Sequence, residues 1–257
     1  MNRTKIEWCV NPDGTQGVSW NPIKMRCTPV SEGCANCYAR RILSRNLPGF
    51  ASYPKEGEPP KLDERELEKP IRWKKPRMVF VESMGDLFHE DVIDADISAV
   101  LSMSRKAPQH TYMILTKRPN RLAEFMKGWW GNLHINKKGA LRDNIWLGVT
   151  AENQEQADNR IPVLFQIPAA VRFVSVEPML SAVDLSDYVW DHDNRDGLSE
   201  RDALDWVIYG PETGPNKRPF DVQWGLDLQR QCQDAGVPVF AKKLLHPEMV
   251  REMPKIN

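Results

Sequence analysis

The sequence predicts an α/β protein whose parallel strands form a full or partial (β/α) barrel. Short apolar runs alternate with amphipathic helical patterns along most of the chain. Parallel neighbours need crossover connections, which cover both faces of a sheet and make its strands apolar throughout. The pattern gives six or seven strand–helix units, and each predicted strand runs directly into polar residues. This number of units favours a full or partial barrel over an open doubly wound sheet.

The predicted elements follow in chain order. Val18–Trp20 is predicted as the first strand, and a helix is predicted to begin at Tyr38. The later predicted strands are Met78–Ser83, Thr111–Thr116, Ile145–Thr150, Val171–Val176, Trp206–Tyr209 and Val237–Ala241. The later predicted helices are Asp63–Glu68, Ile97–Arg105, Arg121–Lys127, Gln154–Phe165 and Asp221–Ala235. Residues 181–204 are predicted as a polar excursion on one strand–helix loop.

Length and composition are typical of one globular α/β domain. The 257 residues are enough to bury a sizeable core, and 41% of them are hydrophobic and 27% charged. No domain linker is evident, so we expect a single barrel domain over residues 1–257. Residues 47–77 are rich in Pro, Lys and Glu, which predicts an insertion or lid over one end of the fold. A solvated connector is the alternative interpretation.

Charge and cysteine usage bound the location and partners of the protein. The 35 basic and 35 acidic residues balance, which gives no general electrostatic attraction to nucleic acid and leaves a local basic patch open. No apolar run reaches membrane-spanning length, and the start lacks the hydrophobic segment of a signal peptide. Five cysteines, an odd number, argue against a secreted disulfide framework. We therefore expect a cytoplasmic protein that does not associate with a membrane.

Three clustered cysteines are the strongest chemical signal. Cys27, Cys34 and Cys37 have six and then two residues between them, on a loop with Gly and Pro just before a predicted helix. A helix start lowers thiol pKa values and suits an anionic cluster. Structural zinc normally takes four protein ligands, whereas a [4Fe-4S] cluster held by three leaves one iron free for an exogenous molecule. The cysteines therefore favour a [4Fe-4S] cluster, with zinc or inert thiols as alternatives.

Two further residues are weaker candidates for this site. His89 follows the second predicted strand and is a candidate proton donor or fourth metal ligand, or else a hydrogen-bonded loop histidine. Cys9 lies apart from the other three cysteines and is expected to be a packed or free thiol.

Polar side chains follow the predicted strands. The carboxyl ends of parallel strands carry the chemistry in α/β folds, so these residues are expected to meet at one barrel mouth with the cysteine loop. Singly, each residue is equally well explained as a cap or turn. Their mixture of charges suits a zwitterionic nucleoside such as S-adenosylmethionine, and it also suits several other metabolites. Alternatively, the acidic and basic side chains neutralise one another. The candidates are Ser83, Asp86, Lys117, Arg118, Thr150, Glu152, Glu177, Glu212, Arg218, Lys242 and Lys243.

Several motifs together resemble a known family. The chain is similar to phage-associated, three-cysteine-motif proteins of unassigned function, which are regarded as distant relatives of radical S-adenosylmethionine enzymes. The motifs span nearly the whole chain. They are Trp20-Asn-Pro, the three cysteines with Tyr38, Ser83-Met-Gly-Asp-Leu-Phe-His-Glu-Asp91, Leu115-Thr-Lys-Arg-Pro119, Trp146-Leu-Gly-Val-Thr150, Val174-Ser-Val-Glu-Pro-Met179 and Gly210-Pro-Glu-Thr-Gly-Pro215.

The resemblance implies a fold, a cofactor pair and roles for individual residues. It implies a radical-SAM-like α/β fold, a partial (β/α)6-type barrel with parallel strands. It also implies a [4Fe-4S] cluster on Cys27, Cys34 and Cys37, whose free iron would chelate the methionine moiety of S-adenosylmethionine. Reductive cleavage would then give a 5'-deoxyadenosyl radical that abstracts a substrate hydrogen. By position, Ser83–Asp86 would bind the methionine amino group, Thr150 and Glu152 the ribose, and Lys117 or Arg118 the carboxylate. Glu177 and Glu212 complete the expected cofactor-binding set.

The sequence departs from the related patterns at a few positions. The superfamily usually has three residues between its first two cysteines and an aromatic residue before the last, where this chain has six residues and Asn36. In the narrower family, Gly-Gly-Glu is expected at Gly210-Pro-Glu212 and Lys-Gln-Trp-Gly at Lys242-Lys-Leu-Leu245. These differences leave the three cysteine ligands in place. They concern the identity of the substrate.

Two classes of function follow. The leading expectation is a radical S-adenosylmethionine-type enzyme with a nucleotide or nucleic acid as its candidate substrate and a flavodoxin or ferredoxin as its electron donor. The alternative is a non-catalytic nucleic-acid- or protein-binding module with structural zinc, in which His89 or Cys9 is the fourth ligand. A third interpretation is a barrel enzyme that uses an acid–base pair such as Glu177 and Lys242.

Overall fold

Seven parallel strands form one curled half-barrel sheet in the computed structural model, which describes residues 4–133, 144–190 and 203–254. The order along the sheet is β1-β4-β5-β6-β7-β8-β9, so strands that follow one another along the sheet also follow one another in the sequence. These strands are β1 (Val18–Trp20), β4 (Met78–Val81), β5 (Thr111–Thr116), β6 (Ile145–Thr150), β7 (Val171–Val176), β8 (Trp206–Tyr209) and β9 (Val239–Ala241). The predicted α/β partial barrel is confirmed.

A two-stranded antiparallel sheet lies beside the half-barrel. It pairs β2 (Ile23–Lys24), just before the cysteine loop, with β3 (Lys61–Leu62). Residues 47–77 also contain the short helices α2 (Glu64–Leu67) and α3 (Lys69–Arg72). The indole N–H of Trp20 donates a hydrogen bond of 2.8 Å to the carbonyl of Glu66, which ties this segment to the first strand of the main sheet.

Helices cover the outer face of the sheet. Two of them begin at side-chain caps, where Asn153 accepts a 3.0 Å hydrogen bond from Gln156 N–H and Asp221 accepts a 2.9 Å hydrogen bond from Gln223 N–H. Pro119 begins another helix, at the position where a missing N–H costs nothing. These helices are α4 (Asp94–Lys106), α5 (Pro119–Leu133), α6 (Gln154–Phe165), α7 (Ser186–Val189) and α8 (Val222–Asp234). The short helix α1 (Tyr38–Leu43) follows the cysteine loop and packs in a separate small cluster with Met84.

Side chains alternate between two apolar layers because successive strand residues point to opposite faces. One face packs against the helices, as with Val79 and Val81 in β4. The other face fills the barrel interior, where Phe80 of the same strand joins a mainly aromatic cluster. The members of the inner cluster are Trp8, Cys9, Met78, Phe80, Met113, Trp146, Val171, Phe173, Trp206, Ile208 and Phe240. The strand ends above this aromatic floor are therefore the part of the interior left for polar groups.

Several predicted bounds differ from the structure. Strand β4 ends at Val81 rather than Ser83, because Glu82 takes a left-handed backbone conformation with φ 54° that ends the extended run. Strand β9 begins two residues later than predicted, at Val239. Helices α4 and α5 extend beyond the predicted apolar stretches at both ends. The acidic part of the predicted excursion, Asp191–Gly197, lies outside the described residues.

Among the described residues, no helix has both the length and the apolar character needed to cross a membrane.

Candidate functional site

A cavity of about 610 Å³ opens at the carboxyl ends of the strands. All three loop cysteines line it, and each is partly exposed as a free thiol. The structure thus brings the predicted cysteine loop and the predicted strand ends to one place. The other predicted candidates that line the cavity are Ser83, Asp86, Lys117, Arg118, Thr150, Glu177, Glu212, Lys242 and Lys243.

Arg118 anchors the start of the cysteine loop. Its guanidinium donates to the Thr28 carbonyl at 3.1 Å, to the Thr28 hydroxyl at 3.0 Å and to the Cys27 Sγ at 3.6 Å. Nε donates to both carboxylate oxygens of Glu90 at 2.8 Å, and Nη1 donates to Asp86 at 3.2 Å. Arg118 is only 6% exposed, so its donors are committed to the protein. Arg118 therefore has no free donor for the predicted hydrogen bond to a bound carboxylate.

Asp86 organises the end of β5 rather than facing the cavity as a free carboxylate. Oδ1 accepts hydrogen bonds from the Thr116 hydroxyl at 2.7 Å and from Phe88 N–H at 3.1 Å. Oδ2 accepts from Lys117 N–H at 3.1 Å and from Arg118. Four donors on one buried carboxylate fix the turn after β4 against the turn after β5.

Glu152 anchors the middle of the cysteine loop. Its side chain is fully buried, and Oε1 accepts a 3.2 Å hydrogen bond from the Gly33 N–H. Oε2 lies 2.9 Å from Nη1 of Arg160, which also donates to the Thr150 carbonyl at 2.7 Å. Burial raises the pKa of Glu152, but the Arg160 guanidinium and other donors hold it below the ordinary value. Glu152 is therefore a charged support for the loop, and it does not line the cavity.

Glu212 anchors the end of the cysteine loop. Oε2 accepts a 2.9 Å hydrogen bond from the Asn36 side chain, next to Cys37, and a 2.8 Å hydrogen bond from Arg218 N–H. The guanidinium of Arg218 also donates to both carboxylate oxygens. The Arg218 hydrogen bonds lower the pKa of Glu212 to about 2. Asn36 thus fixes the end of the cysteine loop.

Fewer polar groups remain for a ligand once these supports are set aside. The ammonium group of Lys117 makes no hydrogen bond or ion pair within the described part of the chain, and the residue lines the cavity. Lys242 forms an ion pair with Glu177 in the same cavity, so this predicted acid–base pair is in contact. Ser83 donates a 3.1 Å hydrogen bond to the Asn21 side chain and still has lone pairs to accept another. The buried Thr150 completes this set.

The two weaker candidates lie away from the ligand space. His89 is buried, its Nε2 is 2.8 Å from the Thr28 hydroxyl, and its Nδ1 accepts a 3.1 Å hydrogen bond from Asp91 N–H. Burial lowers its pKa, and the nearby Arg118 guanidinium adds to this effect. Cys9 packs in the barrel interior, where burial raises its thiol pKa to about 12. Neither residue lines the cavity with the three cysteines.

The three thiols suit a metal cofactor in chemistry and position. They are unpaired, they share one cavity, and the loop that carries them is fixed at three points. Within residues 4–133, 144–190 and 203–254, no three His, Cys, Asp or Glu side chains already surround a common metal position. This result concerns a single metal ion. In a [4Fe-4S] cluster each cysteine would bind a different iron, so the three sulfur atoms need not surround one point.

Comparison with known proteins places the chain in a family. The model of the family described as "Protein of unknown function (DUF5131)" matches residues 3–255. The chain belongs to the DUF5131 family. No curated protein and no solved structure matched it. The DUF5131 description names no activity, so the relation to radical S-adenosylmethionine enzymes and the phage association stay predictions.

One cavity residue of this DUF5131 protein was missed by sequence reasoning. Glu82 is 3% exposed, and its Oε1 accepts a 2.7 Å hydrogen bond from Ile23 N–H. Oε2 is buried and has no partner among the described residues. Burial raises the pKa of Glu82 to about 8. The sequence signal for this residue was an acidic side chain near the end of an apolar run. The predicted strand Met78–Ser83 included Glu82, so it was not considered as a cavity residue.

Proposed function

We propose that this protein is a radical S-adenosylmethionine-type enzyme. The observation that carries the proposal is the position of Cys27, Cys34 and Cys37 in one cavity at the carboxyl ends of seven parallel strands. Three thiolates would hold a [4Fe-4S] cluster and leave one iron for the amino and carboxylate groups of S-adenosylmethionine. When bound, such a cluster would supply one electron for cleaving the C5'–S bond of S-adenosylmethionine into methionine and the 5'-deoxyadenosyl radical.

The side chains of this chain divide into supports and ligand contacts. Arg118, Glu152 and Glu212 hold the cysteine loop, as their hydrogen bonds to Thr28, Gly33 and Asn36 support. Binding of the methionine carboxylate falls to Lys117, because its ammonium group is uncommitted and Arg118 is saturated. The Ser83 hydroxyl accepts from the methionine ammonium, and the ribose faces Thr150. These assignments narrow the set that the resemblance implies.

The substrate would enter the same cavity and give one hydrogen atom to the 5'-deoxyadenosyl radical, with 5'-deoxyadenosine as the product. A nucleotide or a nucleic acid is the proposed substrate class, because the cavity wall also carries Lys242 and Lys243. Lys242 is paired with Glu177 and Lys243 lies 2.9 Å from Glu7, so a phosphate group would compete with these carboxylates. An electron donor such as a flavodoxin or ferredoxin would reduce the cluster.

Anaerobic reconstitution tests the proposal directly. Purified protein is incubated with iron and sulfide, its iron and acid-labile sulfide are measured, and 5'-deoxyadenosine is assayed after reduction with S-adenosylmethionine present. The wild type is expected to bind a cluster and form product, and Cys34→Ala to lose both. Cys232→Ala is the matched control, because Cys232 is a buried free thiol on α8 outside the cavity.

Two results would contradict the proposal. Colourless anaerobic protein with stoichiometric zinc would favour the non-catalytic binding module. A well-formed cluster without any cleavage of S-adenosylmethionine would remove the radical chemistry and leave only a metal-binding barrel.

A further inference from the structure

The guanidinium group of Arg118 is in direct contact with the sulfur of one loop cysteine, Cys27. Its Nη1 lies 3.6 Å from the Cys27 Sγ, within the longer range of hydrogen bonds to sulfur. In the described part of the chain, no other arginine or lysine donates to the sulfur of Cys27, Cys34 or Cys37. The three thiols are therefore not equivalent, because one of them faces a buried cation.

The contacts around Arg118 keep its guanidinium in this position. Both carboxylate oxygens of Glu90 accept hydrogen bonds from Nε, and the Asp86 carboxylate accepts one from Nη1. Nη2 donates to the carbonyl and hydroxyl of Thr28, the residue after Cys27. A planar guanidinium has enough N–H donors in a fixed arrangement to hydrogen-bond all of these partners at once, whereas a lysine ammonium does not.

We propose that Arg118 is a positioning residue that donates a hydrogen bond to the Cys27 thiolate in the cluster-bound protein and raises the reduction potential of the cluster. This inference rests on the proposed function. A hydrogen bond to a ligand sulfur, and a positive charge beside it, stabilise the more negative reduced cluster over the oxidised one. Arg118 thereby acts on the cofactor through Cys27 and makes no contact with the carboxylate of S-adenosylmethionine.

The test compares reduction potentials of the reconstituted protein by redox titration followed by electron paramagnetic resonance. Arg118→Met is expected to shift the potential to a more negative value than the wild type, and Arg118→Lys to give a smaller shift in the same direction. Arg218→Met is the matched control. It removes a cation that also supports the cysteine loop, through Glu212 and Asn36, but that donates to no sulfur. Its potential is expected to equal that of the wild type.

A second variant keeps the inference testable if Arg118→Met fails to hold a cluster. Glu90→Gln leaves the guanidinium in place and removes a negative charge from its far side, so the potential is expected to shift to a less negative value. Equal potentials in the wild type, Glu90→Gln and the assembled Arg118 variants would overturn the inference alone. Absence of iron and sulfide from the wild type would overturn the proposed function, and this inference with it.

Discussion

At the scale of single residues, Glu82 combines three features that seldom occur together. It is a buried carboxyl group, one of its oxygens has no partner among the described residues, and its backbone has φ 54°. Residues other than glycine rarely take this conformation. It costs about 1–3 kcal/mol and persists only where the surrounding structure enforces it. Hydrogen bonds from Glu82 N–H to the Trp20 carbonyl and from Ile23 N–H to Oε1 hold it there.

Glu82→Gln is expected to change how stability depends on pH. The folded-state pKa is about 8 and the ordinary value is 4.5, so the folded chain keeps a proton that the unfolded chain releases in this window. Stability therefore falls as pH rises from about 4.5 to about 8. The glutamine variant lacks this loss and should be more stable than the wild type by about 3–5 kcal/mol at about pH 8.5, since the two pKa values differ by roughly 3.5 and one pKa unit corresponds to about 1.4 kcal/mol.

Urea unfolding at about pH 5 and about pH 8.5 measures this difference. The exposed Glu124 on α5 provides the control, because Glu124→Gln should leave the pH dependence unchanged. If wild type and Glu82→Gln lose the same stability between these two values of pH, Glu82 does not titrate near neutrality.

At the scale of elements, the cysteine loop is held by side chains from three different strand–helix units. Gly33 makes this possible at the centre of the loop, because a Cβ atom there would lie 2.8 Å from the Cδ of Glu152. Glu152 cannot swing away at low cost, since it is fully buried and paired with Arg160. The loop therefore depends on a glycine that allows close approach rather than on an unusual φ.

Gly33→Ala is expected to destabilise the protein by about 1–3 kcal/mol through overpacking against Glu152. The same change should reduce the iron bound after reconstitution, because the loop would move off its support. Thermal unfolding and iron content are the two measurements. Gly49→Ala is the matched control, with nothing within 4 Å of its added Cβ, and should change stability by less than about 0.5 kcal/mol. Equal behaviour of the two variants would contradict the role assigned to Gly33.

The cysteine loop illustrates which features of the candidate site could be predicted from the sequence and which could not. The cysteine spacing and the polar strand ends correctly predicted that these residues meet at one mouth. They did not predict that Arg118, Glu152 and Glu212 support the loop, because Glu90 and Arg160 carry no distinctive sequence signal and Arg218 was expected to bind a ligand. Glu82 was missed for a different reason, since a left-handed conformation at a glutamate has no sequence signal.

At the scale of the whole molecule, the fold was predictable because one pattern repeats. Alternating apolar strands and amphipathic helices give a sheet in which neighbours in space are neighbours in sequence. The N-terminal segment was not predictable in this way. Among residues 6–12 only Val10 forms a β-bridge, with Gln16. This segment instead packs into the barrel interior, where no local periodicity would show it.

Trp8 joins the N-terminal segment to strands far apart in the sheet. Its ring centroid lies 4.8 Å from Phe80 in β4, 6.3 Å from Phe173 in β7 and 6.1 Å from Trp206 in β8. Edge-to-face contacts of this kind add to the free energy gained from burying the ring. Nearby, Glu7 lies 2.9 Å from Lys243, which follows the last strand. A half-barrel is left open where its edge strands do not pair, so an inserted aromatic residue fills space that strand pairing does not close.

Trp8→Ala is expected to destabilise the protein by about 3–5 kcal/mol, because Trp8 is 3% exposed and its loss leaves a cavity among aromatic rings that cannot collapse together. Trp190→Ala removes the same side chain at a site that is 46% exposed, so its effect should stay below about 1 kcal/mol. Urea unfolding of both variants gives the comparison. Because Trp8 and Phe80 also line the cavity, Trp8→Ala should lower iron uptake as well. A variant that unfolds like the wild type would mean that the half-barrel is stable without its N-terminal segment, and that the floor of the cavity is set by the strands alone.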